Sequence, residues 1–256
     1  MNTVSDRVES AGARPNHTYS FDQPGYFEPG TLRRDMLCRM IHQELDERGP
    51  DVTVLDIGCG RGIGRKLEPV EAIKQRVAKL WGVEPDKSVE PPACFDQVWQ
   101  NTLEDADIPD HSVDVAYSYF VIEHVVDPAG FAKKLARILK PGGVCISATV
   151  NRNCFFAQVS WFCHKLSIQD AVLTVLIGKP LVEEYHYPAV YLMNTRKSLQ
   201  ALAHETGISR VDVTYLESDE WLNYFPRPFR WCGHIARRLF NHRPQNYSYL
   251  YARLTA

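Results

Sequence analysis

Apolar runs and helix-type periodicity alternate along the chain between about residues 50 and 150. Short apolar runs of the kind found in buried strands occur at 52–57, 79–84, 95–99, 113–118 and 143–150. Amphipathic or helix-compatible segments lie at 31–48, 62–77, 86–90 and 128–139. Pro128 marks the start of the last of these helices, and Pro141-Gly142-Gly143 a tight turn after it. Strands that alternate with helices predict an α/β fold with a mostly parallel sheet and right-handed crossovers.

After Asn151 this rhythm changes. Residues 154–178 are apolar and aromatic and favour helices, whereas 183–196 are rich in Tyr, His and Pro. A helix is predicted near 196–206, ending at Gly207, and strands at 209–215 and 247–254. We predict that residues of about 155–195 form an insertion that caps a pocket. Residues 1–18 are polar and without periodicity, which predicts a disordered arm.

The composition is that of an ordinary globular protein. The 256 residues are 45% hydrophobic and 23% charged, and the net charge of −2 predicts no general attraction to nucleic acid. The seven cysteines include no Cys-x-x-Cys pair, so reduced thiols are expected rather than a disulfide framework or a zinc site. The N-terminus lacks an apolar signal core and no run approaches eighteen apolar residues, which predicts a cytoplasmic protein.

A glycine-rich turn follows the first predicted strand. The apolar run 52–57 contains Asp56 and leads into Gly58, Gly60 and Gly62 at alternate positions. Glycine permits positive φ and a close approach of a ligand to the backbone, so a strand followed by such a turn builds a nucleotide-sized pocket. The dinucleotide fingerprint Gly-x-Gly-x-x-Gly fails, because its third glycine falls on Ile63.

The segment 54–62, Val-Leu-Asp-Ile-Gly-Cys-Gly-Arg-Gly, resembles the first motif of class I S-adenosylmethionine-dependent methyltransferases. The resemblance covers about 50–150. It implies a Rossmann-like, seven-stranded and mostly parallel sheet flanked by helices, with the last strand antiparallel and a capping insertion after strand 5. It also implies S-adenosyl-L-methionine as the cofactor and a methyltransferase domain at 19–256, with its core at 50–154 and 196–256. The cofactor candidates in the turn are Asp56, Gly58, Cys59, Gly60 and Gly62.

Two further segments are candidates for binding the adenosine part of that cofactor. Glu84, followed by Pro85, ends the second predicted strand, where a carboxylate can accept hydrogen bonds from both ribose hydroxyls. The loop after the third strand grips adenine in the resembling family. There Thr102 stands where many relatives have Asp, Leu103 stands where the backbone contact is made, and Glu104 or Asp105 can substitute.

The end of the fourth predicted strand should lie beside the reactive methyl group. The carboxyl ends of strands 1 and 4 flank the switch point of an open sheet, which makes Ser118 a cofactor candidate and Tyr119 and Glu123 substrate candidates. Residues 122–125, Ile-Glu-His-Val, resemble the family's Leu-Glu-His-Val signature. His124 is the candidate catalytic base, or a histidine that shapes the pocket wall. Some relatives bind a metal through Glu-x-x-Glu-His, but Phe120 replaces the first Glu, so no metal is expected.

The methyl acceptor is harder to predict. Methyl transfer from a sulfonium is an in-line displacement that chiefly needs a positioned, desolvated nucleophile. The substrate candidates outside the motif are Asn151, Tyr185, His186 and Tyr191. Such aromatic and titratable side chains can stack on and hydrogen-bond a sugar or aromatic ring, which suggests a small molecule or glycan as the acceptor. The family resemblance, together with the uncharged aromatic cap, implies methylation on oxygen. Arginine alternates with aromatic residues at 227–243, which suggests an anionic or membrane-linked substrate or arginines solvated on a packed helix. The alternatives are an NAD-dependent oxidoreductase and a non-catalytic binding subunit.

Overall fold

The computed structural model describes residues 32–159, 189–218, 230–240 and 243–256. The predicted arm 1–18 lies outside these residues, as do Tyr185, His186 and most of the predicted insertion. The helices are α1 Arg33–Arg48, α2 Glu68–Lys74, α3 Pro128–Ile138, α4 Arg196–Thr206 and α5 Arg230–Phe240. The strands are β1 Thr53–Ile57, β2 Lys79–Val83, β3 Gln97–Trp99, β4 Val113–Tyr119, β5 Leu139–Val150, β6 Arg210–Leu216 and β7 Tyr249–Thr255.

The seven strands form one sheet in the order β3-β2-β1-β4-β5-β7-β6. Strands β1 to β5 pair in parallel, whereas β7 runs antiparallel to both β5 and β6. The strand order reverses at β1, which has β2 on one side and β4 on the other. Ligands bind at such a switch point in open α/β sheets, so the topology puts the candidate site after β1 and β4. The predicted fold class is confirmed, including the antiparallel last strand.

Helices cover both faces of the sheet and so bury it. On one face α1 and α2 contribute residues such as Met36, Ile41 and Ile73 to an apolar cluster. On the other face α3 and α4 contribute Phe131, Leu135 and Leu199. All five residues of β1 are buried, as a central strand of a parallel sheet covered on both faces requires.

The ends of α3 and α4 follow from local chemistry. Asp127 caps α3 by accepting a hydrogen bond from Gly130 N at 3.0 Å, and Pro128 occupies its first turn. Thr195 and Ser198 form a capping box at the start of α4, and Gly207 ends that helix with a φ of 86°. The predicted helices at 128–139 and 196–206 are therefore confirmed, the first ending one residue earlier.

Two predictions of helical structure are wrong. The helix predicted at 62–77 is shorter, α2, because Gly62, Gly64 and Arg65 all have positive φ and keep the chain in a turn before Glu68. No helix forms at 86–90. There the Asp86 carboxylate accepts hydrogen bonds from Ser88 N and Ser88 Oγ at 2.8 and 2.7 Å, a local turn that competes with a helix.

Strand β5 begins at Leu139, four residues before the predicted strand 143–150. Leu139 pairs with Val113 and Val144 with Val115, so the predicted Pro-Gly-Gly turn is an irregularity within the β4–β5 pairing. Gly142 there has a φ of 75°, which a glycine adopts without strain.

Candidate active site

The turn after β1 depends on glycine at two positions. Gly58 has a φ of 76°, and a Cβ there would lie 2.4 Å from a methyl group of Val121. Gly62 has a φ of 91°, and its Cβ would lie 2.3 Å from the carbonyl oxygen of Lys66. The N–H groups of Gly58 and Cys59 both donate to the Val83 carbonyl, at 2.8 and 3.0 Å. The turn is therefore fixed against the end of β2 and closely packed against the loop after β4.

Glu84 joins this turn to the end of β2. Its Oε2 accepts a hydrogen bond from Gly60 N at 2.8 Å, and its Oε1 accepts one from Asp86 N at 2.9 Å. The side chain is 7% exposed. Each carboxylate oxygen has a further lone pair, so both can still accept a hydrogen bond from a ligand. The structure thus brings Glu84 to the glycine turn, while its contact with ribose stays a prediction.

The side chain of Asp56 lies beneath the turn. It is 3% exposed, and its Oδ2 accepts a hydrogen bond from the buried Tyr117 hydroxyl at 2.8 Å. Burial raises the pKa of the Asp56 carboxyl to about 7, and the negative charge of Glu84 acts in the same direction. Two buried carboxyl groups, Asp56 and Glu84, therefore lie close to the main chain of the turn.

Cys59 packs inward. Its side chain is 1% exposed, and its Sγ would lie 2.7 Å from a Cβ placed at Gly82. Gly82 in β2 therefore makes room for the thiol. Burial raises the pKa of the Cys59 thiol well above its usual range, so the thiol is protonated and unreactive at neutral pH. Only the main chain of Cys59 is left to face a ligand.

The loop after β3, which is predicted to bind adenine, contains a hydrogen bond between two of its own side chains. Thr102 Oγ1 donates to Asp105 Oδ2 at 3.1 Å, Leu103 is buried, and Glu104 is half-buried. Pro85, after β2, is exposed. Thr102, Leu103, Glu104 and Pro85 stay predictions as cofactor contacts.

Two of the predicted contact residues, Ser118 and Asn151, have fully buried side chains. The Ser118 hydroxyl is 0% exposed and donates to Ser147 Oγ at 2.9 Å, so it lies between β4 and β5. Asn151 is 0% exposed, and its Nδ2 donates to the carbonyls of Gln245 and Tyr247 at 2.9 and 2.8 Å. Its Oδ1 accepts from Asn153 N at 3.0 Å. Both side chains are therefore buried and hydrogen-bonded within the protein, and their contact with a ligand stays a prediction.

The backbone is strained where β4 ends. Phe120 has a φ of 57°, an unfavourable value for an aromatic residue, and its N–H donates to Ala148 O at 2.8 Å. Its ring packs edge-on against Tyr119 and Tyr249, with centroid distances of 4.7 and 5.7 Å. The guanidinium of Arg33 lies 4.7 Å from the same ring. These contacts hold the chain in its sharp turn toward residues 121–125, with Tyr119 half-buried beside it.

Glu123 connects that turn to the segment that returns at residue 189. The Glu123 carbonyl accepts hydrogen bonds from Val190 N and Tyr191 N at 2.8 and 3.1 Å. Its carboxyl group is 4% exposed, and Oε2 accepts from Thr149 Oγ1 at 2.7 Å. Burial raises the pKa of the Glu123 carboxyl, against the lowering effect of His124 and of the Thr149 hydrogen bond.

Asn194 also takes part in the connection between the turn after β4 and the segment that returns at residue 189. Asn194 Nδ2 donates to Thr149 Oγ1 at 2.6 Å and to the Val150 carbonyl at 2.9 Å. A hydrogen-bond chain therefore runs from Asn194 through Thr149 to Glu123, all three buried. The predicted substrate contacts Glu123 and Tyr191 do lie together, but they meet through the main chain, and their contact with a substrate stays a prediction.

His124 ends the short 3₁₀ helix Ile122–His124 at the carboxyl edge of the sheet. Its N–H donates to Val121 O at 2.9 Å, and its side chain is half-buried. Val121 in turn packs against Gly58. His124 therefore comes three residues after a residue that contacts the glycine turn. Among the residues that the structure describes, no group of three or more His, Cys, Asp or Glu side chains is arranged to hold a metal ion.

Comparison with known proteins identifies the family of this chain. A family model described as "Methyltransferase domain" matches residues 31–227. The chain belongs to the methyltransferase domain family. The predicted resemblance to class I S-adenosylmethionine-dependent methyltransferases is thereby confirmed. The roles of the glycine turn and of Glu84 in binding the cofactor stay predictions.

Named relatives cover this methyltransferase domain in part. One from Mycolicibacterium smegmatis, "Probable S-adenosylmethionine-dependent methyltransferase", is 34% identical over 120 residues, which are 45% of each chain. A ubiquinone biosynthesis O-methyltransferase of Citrobacter koseri is 29% identical over 171 residues, 63% of this chain and 66% of that one. The chain spans about half the length of the curated relatives it matches.

Solved structures agree on the fold. A methyltransferase from Archaeoglobus fulgidus, described as SAM dependent, superimposes with a TM-score of 0.54 over 87% of this chain and 94% of its own. Its sequence identity of 15% makes this a likeness of fold alone.

Sequence reasoning missed three residues that shape the site. Asn194 and Thr149 carry no local signal, because their pairing depends on how a distant segment returns to the sheet. In the sequence Phe120 stands out only because it replaces a metal-binding Glu. Its positive φ has no sequence signal, since aromatic residues favour negative φ. In each case the tertiary contact, and not the residue type, decides the role.

Proposed function

We propose that this chain binds S-adenosyl-L-methionine at the glycine turn and transfers its methyl group to an acceptor oxygen of a small molecule or glycan in the cytoplasm. The observation that carries the proposal is the contact between Gly60 N and the Glu84 carboxylate in a member of the methyltransferase domain family. A buried carboxylate anchored by two main-chain N–H groups is a preorganised acceptor for ribose hydroxyls.

The chemistry asks mainly for position and desolvation. The reacting carbon bears a sulfonium that leaves as a neutral thioether, so the carbon is already activated when the cofactor is bound. The residues of this chain would hold the adenosine at Glu84 and direct the methyl group toward the end of β4. The negative charge of Glu84 favours a donor that carries positive charge.

Support for oxygen as the acceptor atom comes from two sources. Several relatives are named ubiquinone biosynthesis O-methyltransferases. His124 follows β4 at the carboxyl edge of the sheet, and an imidazole can accept the proton of an acceptor hydroxyl. Tyr119, Glu123 and Tyr191, with Tyr185 and His186 from the cap, are the proposed surroundings of the acceptor.

Calorimetry with S-adenosylhomocysteine tests the cofactor assignment. Glu84→Gln keeps the size of the side chain but removes the charge and one acceptor, so the dissociation constant should rise by tenfold or more, about 1–3 kcal/mol. Glu90→Gln, on an exposed turn after β2, is the matched control and should bind like the wild type. A folded wild-type protein that gives no heat at millimolar ligand, or one that binds NAD instead, would contradict the assignment.

Turnover of His124→Gln tests the proposed base. Release of S-adenosylhomocysteine should be measured with phenolic, sugar and amine acceptors. With an oxygen acceptor, His124→Gln should lower turnover at least about tenfold, the usual range for a general base, while affinity for S-adenosylhomocysteine stays unchanged. Full turnover in this variant would show that the histidine only shapes the pocket wall, and turnover with amines alone would refute oxygen as the acceptor.

A further inference from the structure

Helix α3 carries a lysine on its buried face. None of the described helices is long and apolar enough to cross a membrane, and α3 is an amphipathic helix that covers one face of the sheet. Phe131, Leu135 and Ile138 pack into the core, and Lys134 lies among them with 8% of its surface exposed. Its neighbour Lys133 is exposed. A buried ammonium group is costly unless it gains a hydrogen-bond partner, so the structure has to supply one for Lys134.

That partner is a main-chain carbonyl in the loop after β3. Lys134 Nζ donates to the carbonyl oxygen of Ala106 at 2.5 Å. The same oxygen accepts a hydrogen bond from Ile108 N at 2.9 Å, so both of its lone pairs are used. The contact from Lys134 is charge-assisted, and it is directional in a way that the apolar packing around it is not.

Ala106 closes a tight turn that contains the predicted adenine contacts. Its N–H donates to the Thr102 carbonyl at 3.1 Å, and Thr102 Oγ1 donates to Asp105 Oδ2 inside the same turn. Leu103 and Glu104 lie between these residues. The main chain of the turn is therefore closed at Ala106, the residue that the lysine holds.

This turn follows a strand end that is bonded to Glu84. The carbonyl of Trp99, the last residue of β3, accepts a hydrogen bond from Glu84 N at 3.0 Å. Leu103 and Ala106 are buried in the same apolar cluster as Phe131 of α3. The turn therefore begins three residues after the contact with Glu84 and packs against the helix that carries the buried lysine.

The charges that act on Lys134 from this loop are negative. Burial lowers the pKa of the Lys134 amine, and Arg137 acts in the same direction, whereas Asp110, Asp107 and Asp105 raise it. The three aspartates are exposed and belong to the loop after β3. Because their negative charges repel one another, an ammonium group bonded to the loop favours its compact form.

We propose that Lys134 is a positioning residue for the adenine of the cofactor. Its ammonium group holds the Ala106 carbonyl and so fixes the main chain of residues 102–106, where the base is predicted to bind. The inference rests on the proposed function and deepens it, because it assigns a role in adenine binding to a side chain outside the loop. Without this contact the turn keeps its apolar packing but loses its directional anchor, and less of the protein has the turn ready for the base.

Lys134→Met tests the proposal, because it keeps a long apolar stem and removes the amine. The dissociation constant for S-adenosylhomocysteine, measured by calorimetry, should rise at least about fivefold. Hydrogen exchange at the amides of Ala106 and Ile108 should become faster in the protein without ligand. Lys133→Met makes the same change at the exposed neighbouring position and should match the wild type in both measurements.

A ligand without adenine separates positioning of the base from general support of the fold. S-ribosylhomocysteine keeps the ribose and the amino acid part, so wild type and Lys134→Met should bind it equally. If Lys134→Met does not fold, Lys134→Gln, whose neutral side chain is one bond shorter, should show the same selective loss.

Two results would overturn the role of Lys134 alone. One is an unchanged affinity of the Lys134 variants for S-adenosylhomocysteine, and the other is an equal loss of affinity for both ligands. Wild-type protein that does not bind S-adenosylhomocysteine would instead contradict the proposed function, and the inference with it.

Discussion

Three ionisable side chains behind the glycine turn are almost fully buried. Asp56, Tyr117 and Cys59 are all nearly inaccessible to solvent, although all three carry ionisable side chains. The sequence was enough to predict where the glycines and Glu84 lie, because a strand followed by such a turn has few possible forms. The sequence did not indicate that the side chains of Ser118 and Asn151 are fully buried, because the surroundings of a side chain at a strand end depend on which neighbours pair with it.

Replacement of Asp56 by Asn should change how stability depends on pH. Burial raises the pKa of the folded carboxyl from 3.8 to about 7, so between these values the folded state holds a proton that the unfolded state has lost. The free energy of unfolding of the wild type should therefore fall as pH rises from about 4 to about 7, by up to about 4 kcal/mol. Urea unfolding over this range measures it.

The Asp56→Asn variant should lack that fall, because an amide does not titrate. Asp110→Asn is the control, since Asp110 is 56% exposed and pairs with Arg137 at the surface. It should keep the slope of the wild type. If wild type and Asp56→Asn show parallel stability profiles, the carboxyl is ionised throughout and the assigned protonation is wrong.

The elements differ in how far local sequence determines them. Helices α3 and α4 carry their own caps and were predicted nearly to the residue. The helices predicted at 62–77 and 86–90 failed because positive φ at consecutive turn residues and a side chain bonded to its own loop outweighed the periodicity. No local sequence pattern indicates that segment 189–194 returns to the sheet. Its position depends on contacts among Glu123, Thr149 and Asn194, which are distant from one another in sequence.

Thr149→Val should weaken the attachment of segment 189–194 to the sheet. The substitution leaves the buried Glu123 Oε2 and Asn194 Nδ2 without the hydroxyl between them, at a cost of about 2 kcal/mol in the free energy of unfolding. Hydrogen exchange at the amides of Val190 and Tyr191, which bond to the Glu123 carbonyl, should become faster.

Ser147→Ala provides the comparison on the same strand. It removes the partner of the buried Ser118 hydroxyl and should cost about 1 kcal/mol without faster exchange at Val190 and Tyr191. Equal exchange in both variants would mean that Thr149 does not hold the segment.

At the scale of the whole molecule, a buried ion pair links the first described helix to the last strand. Arg253 in β7 donates to Glu44 in α1 through Nε and Nη2, at 2.5 and 3.2 Å, and Glu44 is 6% exposed. Composition and strand rhythm predicted the parallel part of the sheet and helices α1, α3 and α4 correctly, but not the extent of α2. They did not indicate this pair, because its two residues are separated by nearly the full length of the described chain.

Glu44→Ala should be strongly destabilising, by about 3 kcal/mol, because it leaves the Arg253 guanidinium without its carboxylate in a partly buried site. Asp46→Ala is the matched change two residues further along the same helix. Its carboxylate, 69% exposed, pairs with Arg76 at the surface and should contribute less than about 1 kcal/mol. Chemical unfolding of both variants measures the difference. Similar losses for the two would show that the Glu44–Arg253 pair is no stronger than a surface pair.

The strand order has a consequence for the time course of synthesis. Among the described strands, β6 joins the sheet only through β7, which comes last of the seven in sequence. While residues 249–255 are still inside the ribosomal tunnel, the main-chain groups of β6 lack their partner strand. The edge of β5 that later pairs with β7 is then exposed to solvent. The parallel half can form early during translation, but the antiparallel half must wait until β7 emerges. A nascent chain paused in that interval should be the form most in need of a chaperone.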